Sequence, residues 1–344
     1  MILRKSLAGL AVALLATSAA GCSGKGGGSD AWEPPGKGQA AQLLDFSDGG
    51  RDAGTRDVAF YGFDGTPDGM ATGADGSVYV AGQKVVRLKP DRTVSTALAA
   101  PAEKGAVSGV VPLPDGSLVF GADRQVKKAD PAGHVTVLAG GRTFPVTPTP
   151  FGARSDGTVL FADQNVLWSL KDGAVEQLHA FPAKASDGLP LQVPPGGAVD
   201  ASGTVYVAMR EQGPSQTRGR LDDVLGIGAD GHLSKPLLPK TLAGLPGSLA
   251  AYTVGWLTGD GADGVFAQIY DPSGDHGAVV HLHSGTVDLV ARQNDDISYR
   301  KPCRIGKPVD ALHVTCPLPA GMTYRSGSLV LGGTQDYVLQ IRLT

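Results

Sequence analysis

Apolar and polar positions alternate in short runs along most of the chain, and the runs recur. Residues 68–80 read D-G-M-A-T-G-A-D-G-S-V-Y-V, 108–120 read S-G-V-V-P-L-P-D-G-S-L-V-F, 150–162 read P-F-G-A-R-S-D-G-T-V-L-F-A and 196–208 read G-G-A-V-D-A-S-G-T-V-Y-V-A. Weaker copies stand at 254–267 and 321–331. The turn glycines of the six copies are Gly76, Gly116, Gly157, Gly203, Gly264 and Gly327, separated by 40, 41, 46, 61 and 63 residues. Each copy predicts a strand, a two-residue turn such as Asp75-Gly76 in which glycine tolerates positive φ, and a second strand with alternating apolar positions such as Val78 and Val80. A third strand follows, as at 84–89 or 167–170. A second set of turns, among them Asp91-Arg92, Asp172-Gly173 and Ser284-Gly285, leads to a fourth, at 93–98, 174–178 and 286–291. Four short antiparallel strands repeated near every forty residues predict the blades of an all-β, six-bladed β-propeller.

The last copy supplies three strands before the chain stops at Thr344, which leaves an open edge. Residues 40–46, or alternatively 57–60, can supply its fourth strand from the amino end. A seven-bladed ring with an irregular extra blade in 293–319 is the competing arrangement. In either ring the connections between strands one and two and between three and four share one face, and these are short. The extra length falls on the other face, at 141–149, 181–195, 209–222, 271–277 and 293–319. Long loops on one side of a rigid scaffold are where binding residues collect. The richest of them offers Arg210, Glu211, Gln212, Arg218 and Arg220, whose guanidinium groups suit carboxylates and sulfates. Tyr270, Asp271, Asp275 and His276 form a second polar group on the same face. The competing reading of all nine is solvated loop with internally paired charge.

Composition sharpens this picture in three ways. Glycine, at 50 residues, sits at turns rather than in a three-residue period. The carboxylates are almost all aspartates in turns, where they bond local backbone, so their number says little about metal or acid chemistry. The net charge of -3, without basic runs, lacks the electrostatic footprint that nucleic acid requires. The sequence also holds no nucleophile elbow, zinc-protease, Walker or dinucleotide motif. His281 and His283 share one strand face at a zinc-compatible spacing, but no third ligand is evident, so the expectation is no metal.

The chain opens Met1-Ile-Leu-Arg4-Lys5, continues through an apolar stretch at 7–16, and reaches Ala19-Ala20-Gly21-Cys22. A short cationic start, an apolar core too short for ordinary spanning, and small residues before a cleavage point are what a secretory signal needs. The tetrad resembles the lipobox of bacterial lipoproteins, with Ala19 where that family more often has Leu. The resemblance implies a diacylglyceryl group on Cys22, a signal peptide at 1–21, a lipidated Gly/Ser/Pro tether at 22–38 and a propeller at 39–344. It also implies attachment to the extracytoplasmic face of the cell membrane; the alternative is a plain secreted protein. In an exported domain the remaining pair, Cys303 and Cys316, reads as a disulfide.

The repeats resemble NHL-type propeller units, most closely at 69–81 and 197–208, with Ser77, Ser117, Thr158 or Thr204 where that family usually has Asn. That resemblance implies a fold and no single activity. The leading expectation is a monomeric, lipid-anchored recognition or scaffold module that binds a protein, peptide or envelope glycan on the long-loop face. The alternative is a metal-assisted propeller lyase or hydrolase of the lactonase kind. Such hydrolases hold Ca²⁺ in the channel with Glu, Asn and Asp, and this chain has two asparagines, Asn165 and Asn294, which makes a matching cage hard to assemble. Asp200, at the end of an inner strand, faces either the channel or its own hairpin.

Overall fold

The computed structural model describes residues 33–45, 69–82, 84–98, 107–184, 191–192, 197–211, 219–274, 276–295, 305–332 and 337–344. Residues 32–344 make one compact unit. Its second strands carry the least polarity. Val78–Ala81 and Leu118–Ala122 are buried at every position rather than at alternate ones. The alternation gives way because each blade is stacked between two neighbours, so both faces of its middle strands are covered. Outermost strands lose one cover: Val135–Val137 is exposed throughout.

Six sheets form the ring. The innermost strands are Gly69–Thr72, Ser108–Pro112, Thr149–Ala153, Ala198–Val199, Thr253–Gly259 and Gly321–Arg325, and each blade then steps outward strand by strand. In blade one the order is Gly69–Thr72, Val78–Ala81, Val85–Leu88 and Val94–Leu98, all antiparallel. Blade six is closed by Gln39–Asp45, which pairs with Tyr337–Arg342, as the amino-terminal alternative 40–46 anticipates. Leu43 and Leu44 on this strand are 1% and 2% exposed, and each such burial is worth about 1.5–3 kcal/mol. The seven-bladed alternative does not hold. Val309–Asp310, from the segment assigned to it, pairs instead with the outer edge of Gln39–Asp45 as a fifth strand of blade six.

The core is divided among the blade interfaces. One cluster joins blades five, six and one around Trp256, Phe266, Leu331 and Leu339; another joins four and five around Leu221, Leu249 and Tyr252. Near the axis the contact is backbone to backbone. A Cβ on Gly109, whose φ is +66°, would stand 2.1 Å from the Pro150 carbonyl oxygen. Only glycine fits there, and inner strands of neighbouring blades can approach closely because of it.

In blades one to five the inner turns differ from the two-residue form expected of them. Gly73 N–H bonds Ser77 O and Gly76 N–H bonds Gly73 O, so three residues intervene, with Gly76 at φ +75°. This is a type I turn followed by a left-handed residue. Blades two, three and four repeat it. In blade five the left-handed glycine is Gly261, not Gly264; Gly264 takes the place of Ser77 and donates its N–H to Asp260. True two-residue turns occur at Asp172-Gly173, Ser284-Gly285 and Ser326-Gly327, where both residues have positive φ.

Candidate functional site

The long-loop face is more structured than solvated loop. Arg210–Glu211 pairs antiparallel with Leu191–Gln192, so two insertions of blade four form a ladder of their own outside the six blades. Gln212, Arg218 and Asp275 lie outside the described residues, as do the side chains of Arg210 and Glu211. The insertion then returns to the ring. Val254 N–H bonds Gly219 O and Leu221 N–H bonds Tyr252 O, each at 2.8 Å, and Arg220 bridges to Thr253. Thr253 belongs to the innermost strand of blade five, so the returning segment lies on that strand's axis-facing edge. Leu221, fully buried against Leu249 and Tyr252, holds it there.

This pairing sets a register that joins the two predicted polar groups. Arg220 stands opposite Thr253, and Thr253 stands opposite Tyr270. Directly paired residues present their side chains on one side of a sheet, and two strand steps of about 4.8 Å separate Arg220 from Tyr270 by about 10 Å. Arg220 is exposed and Tyr270 half-buried. Asp271 and His276 are brought together, but with each other: Asp271 Oδ2 lies 3.1 Å from His276 Nδ1 and accepts from Ser273 Oγ at 2.7 Å, while Oδ1 accepts the His276 N–H. Burial pushes the Asp271 pKa up, but these bonds outweigh it and hold the carboxyl below its ordinary value. That pair shapes its hairpin.

A second cluster on the same face escaped the sequence reading. Arg142 stacks 4.4 Å from the Trp168 ring centroid and 5.0 Å from that of Phe144, and Arg124 Nε donates to Phe144 O at 2.7 Å. Beside them Asp163, 5% exposed at the end of Val159–Asp163, accepts from Val146 N–H at 3.3 Å. Burial raises its pKa despite that bond and the two arginines. The sequence carried one signal for it, the Asp that ends the second strand.

The axial channel opens toward the short-hairpin face as a cup of about 300 Å³. All six blades line it, with Met70, Val111, Phe151, Val199, Leu257 and Tyr324 prominent. Its polar side chains are hydroxyls, including Thr72 and Thr323, whose oxygens lie 3.0 Å apart. Calcium takes about six to eight oxygen ligands with carboxylates prominent among them, and the described walls of the cup do not fit that demand. Asp200 turns away into its own hairpin, accepting from Thr204 N–H at 2.9 Å and Ser202 Oγ at 2.6 Å. Among the described residues no three His, Cys, Asp or Glu side chains converge to hold a metal ion.

His281 and His283 do share a face and stack at 4.1 Å, but each has its own carboxylate, Asp260 at 2.8 Å and Asp288 at 2.7 Å. Phe266 and Tyr324 continue the stack from His281. With Lys37 and Arg342 they line a groove of about 430 Å³ between blades five and six on the short-hairpin face. Trp256 is buried in the interface core between blades. Cys316 is buried, and Cys303 lies outside the described residues.

No family model matches the chain, and no curated protein matches it either. Solved structures do. Regucalcin, a calcium-binding protein from Agrobacterium tumefaciens, superposes with a TM-score of 0.51 at 11% identity, over 80% of this chain and 89% of its own. A gluconolactonase from Xanthomonas campestris gives 0.47 at 15% identity, over 82% and 88%. A chain of a mitotic checkpoint complex gives 0.48 at 10%, over 93% and 98%. At such identities the likeness to regucalcin defines the class as a β-propeller and reaches no further than the fold.

Proposed function

We propose that the protein is a lipid-anchored, extracytoplasmic recognition module that binds a protein, peptide or envelope glycan through its long-loop face. Cys22 carries the lipid, Cys303 and Cys316 form a disulfide, and the ring acts as a monomer without a resident metal. The observation that carries the reading is the blade-four insertion, which is paired at both ends and holds Arg220 in register with Tyr270 across Thr253. An exposed arginine and a tyrosine on one side of the sheet, two strand steps or about 10 Å apart along the backbone, suit a ligand with an anionic group at one end and a flat or sugar-like body.

The test is to probe residues 33–344, with Arg220→Ala and Tyr270→Ala beside the parent, against arrays of envelope glycans and peptides. Each change should weaken the parent's best ligand by about tenfold, or 1.4 kcal/mol. Ligands held equally by all three proteins would remove the site from this face. The lactonase-like alternative gets no support from the hydroxyl-lined cup. Stoichiometric Ca²⁺ or Zn²⁺ in protein purified without chelator, together with lactone hydrolysis, would put it in front.

A further inference from the structure

The closing strand decides where the amino-terminal chain leaves the ring. Gln39–Asp45 runs antiparallel to Tyr337–Arg342, with Ala40 opposite Ile341 and Asp45 opposite Tyr337. The chain therefore enters blade six beside Arg342, and Gly38 N–H bonds the Arg342 carbonyl at 2.8 Å. Arg342 ends at the level of the Ser326-Gly327 turn, where Leu343 N–H bonds Gly327 O at 2.8 Å. That turn is a strand-one-to-two hairpin and marks the short-hairpin face. The direction of exit is held: Pro35 is buried, Gly36 N–H bonds the Gln39 side chain at 2.9 Å, and Ala311 N–H bonds Gly38 O at 2.9 Å. Every long loop lies on the opposite face.

We infer that the anchored molecule turns its short-hairpin face to the bilayer and presents the face of Arg220, Thr253 and Tyr270 away from it, to a partner arriving from the envelope space. This rests on the lipid-anchor reading. Eleven residue steps separate Cys22 from Glu33, a contour of at most about 40 Å. The longest inner strand, Thr253–Gly259, has 7 residues, so the ring is about 23 Å high. Inverting the ring would take more than half of that contour merely to pass its height, whereas the near-face orientation takes none of it, and chain entropy favours the second. On the near face the hairpin aspartates are paired with cations, Asp75 with Arg87, Asp115 with Lys128 and Asp156 with Lys171.

The experiment uses the full lipidated chain in phosphatidylethanolamine/phosphatidylglycerol vesicles that carry a trace of rhodamine lipid. A donor dye is attached through azidophenylalanine at Ala132, an exposed turn position on the short-hairpin face, or at Ala243, exposed in the connection between blades four and five on the other. Energy transfer should be stronger from Ala132, with an apparent height difference of about 20 Å. Equal or reversed transfer overturns the orientation while the anchor stands. A parent chain that fails to float with the vesicles, or that floats no better than Cys22→Ser, overturns the anchor itself. A long Gly/Ser insertion after Ser29 should erase the difference; persistence would mean that the face adheres, and would overturn the tether account.

Discussion

Single side chains here fall into those that serve their own hairpin and those that are held at a cost. Asp115 is of the first kind. The Ser117 amide, and after it Lys128, bring its pKa down to about 2. Tyr206 behaves as a similar local device at the other end of the scale: burial, and then Asp200, push it up to about 12. Its neutral form is favoured in the fold, so its contribution is complete below the unfolded value near 10 and disappears as pH rises through about 12. Tyr206→Phe should accordingly be about 0.5–1.5 kcal/mol less stable than the parent in urea at pH 8, with the gap closing toward pH 12. Asp163 is of the second kind. Its pKa is raised by burial, so the ionised form is disfavoured in the folded state at neutral pH. Asp163→Asn should raise the thermal midpoint at pH 7, and the gain should fade as the parent protonates in acid. A variant destabilised at pH 7 would instead mean that the charge is needed by Arg124 and Arg142.

At the scale of elements, glycine has two distinct uses. Gly157 has φ +83° and nothing near the site of a Cβ, so Gly157→Ala should cost only the left-handed penalty, about 1–2 kcal/mol. Gly109 combines positive φ with the Pro150 carbonyl, and Gly109→Ala should cost at least about 3 kcal/mol because backbone from two blades must separate. Denaturant melts of the two variants decide the point, and equal losses would mean that the inner strands can shift apart freely. The strands themselves were legible because alternating apolar residues between Asp-Gly and Ser-Gly turns have few other uses. The turn forms were not. Asp75-Gly76 reads as a two-residue turn, yet whether two or three residues intervene depends on which backbone pair closes the hairpin, and D-G is compatible with both. The shift from Gly264 to Gly261 has the same origin, since G-D-G-A-D-G offers several glycines and only the partner strand selects one.

For the molecule as a whole, closure is the critical junction. Truncation through Asp45 removes Leu43 and Leu44 from the core and bares the Tyr337–Arg342 edge. The truncated protein should lose its cooperative unfolding transition and run as aggregates on size exclusion, because an open, apolar edge templates pairing between chains. Leu43→Ala alone should cost about 2–5 kcal/mol while leaving the ring closed.

Repeat period and strand count follow from the amino-acid order, because each rests on local alternation between turns, while the closing role of Gln39–Asp45 is seen in its pairing with Tyr337–Arg342. The face on which long loops collect follows too, since it depends on the parity of strands alone. Tertiary structure decided the rest. The docking of Gly219–Leu221 on Thr253–Val254, and with it the register of Arg220 and Tyr270, joins segments of blades four and five that no local pattern relates. The same holds for Arg142 on Trp168, for the fifth strand Val309–Asp310, and for Asp271 turning to His276. Local sequence specifies which backbone states are cheap; which distant surfaces then cover one another is settled only when the ring closes and every blade has to bury both faces.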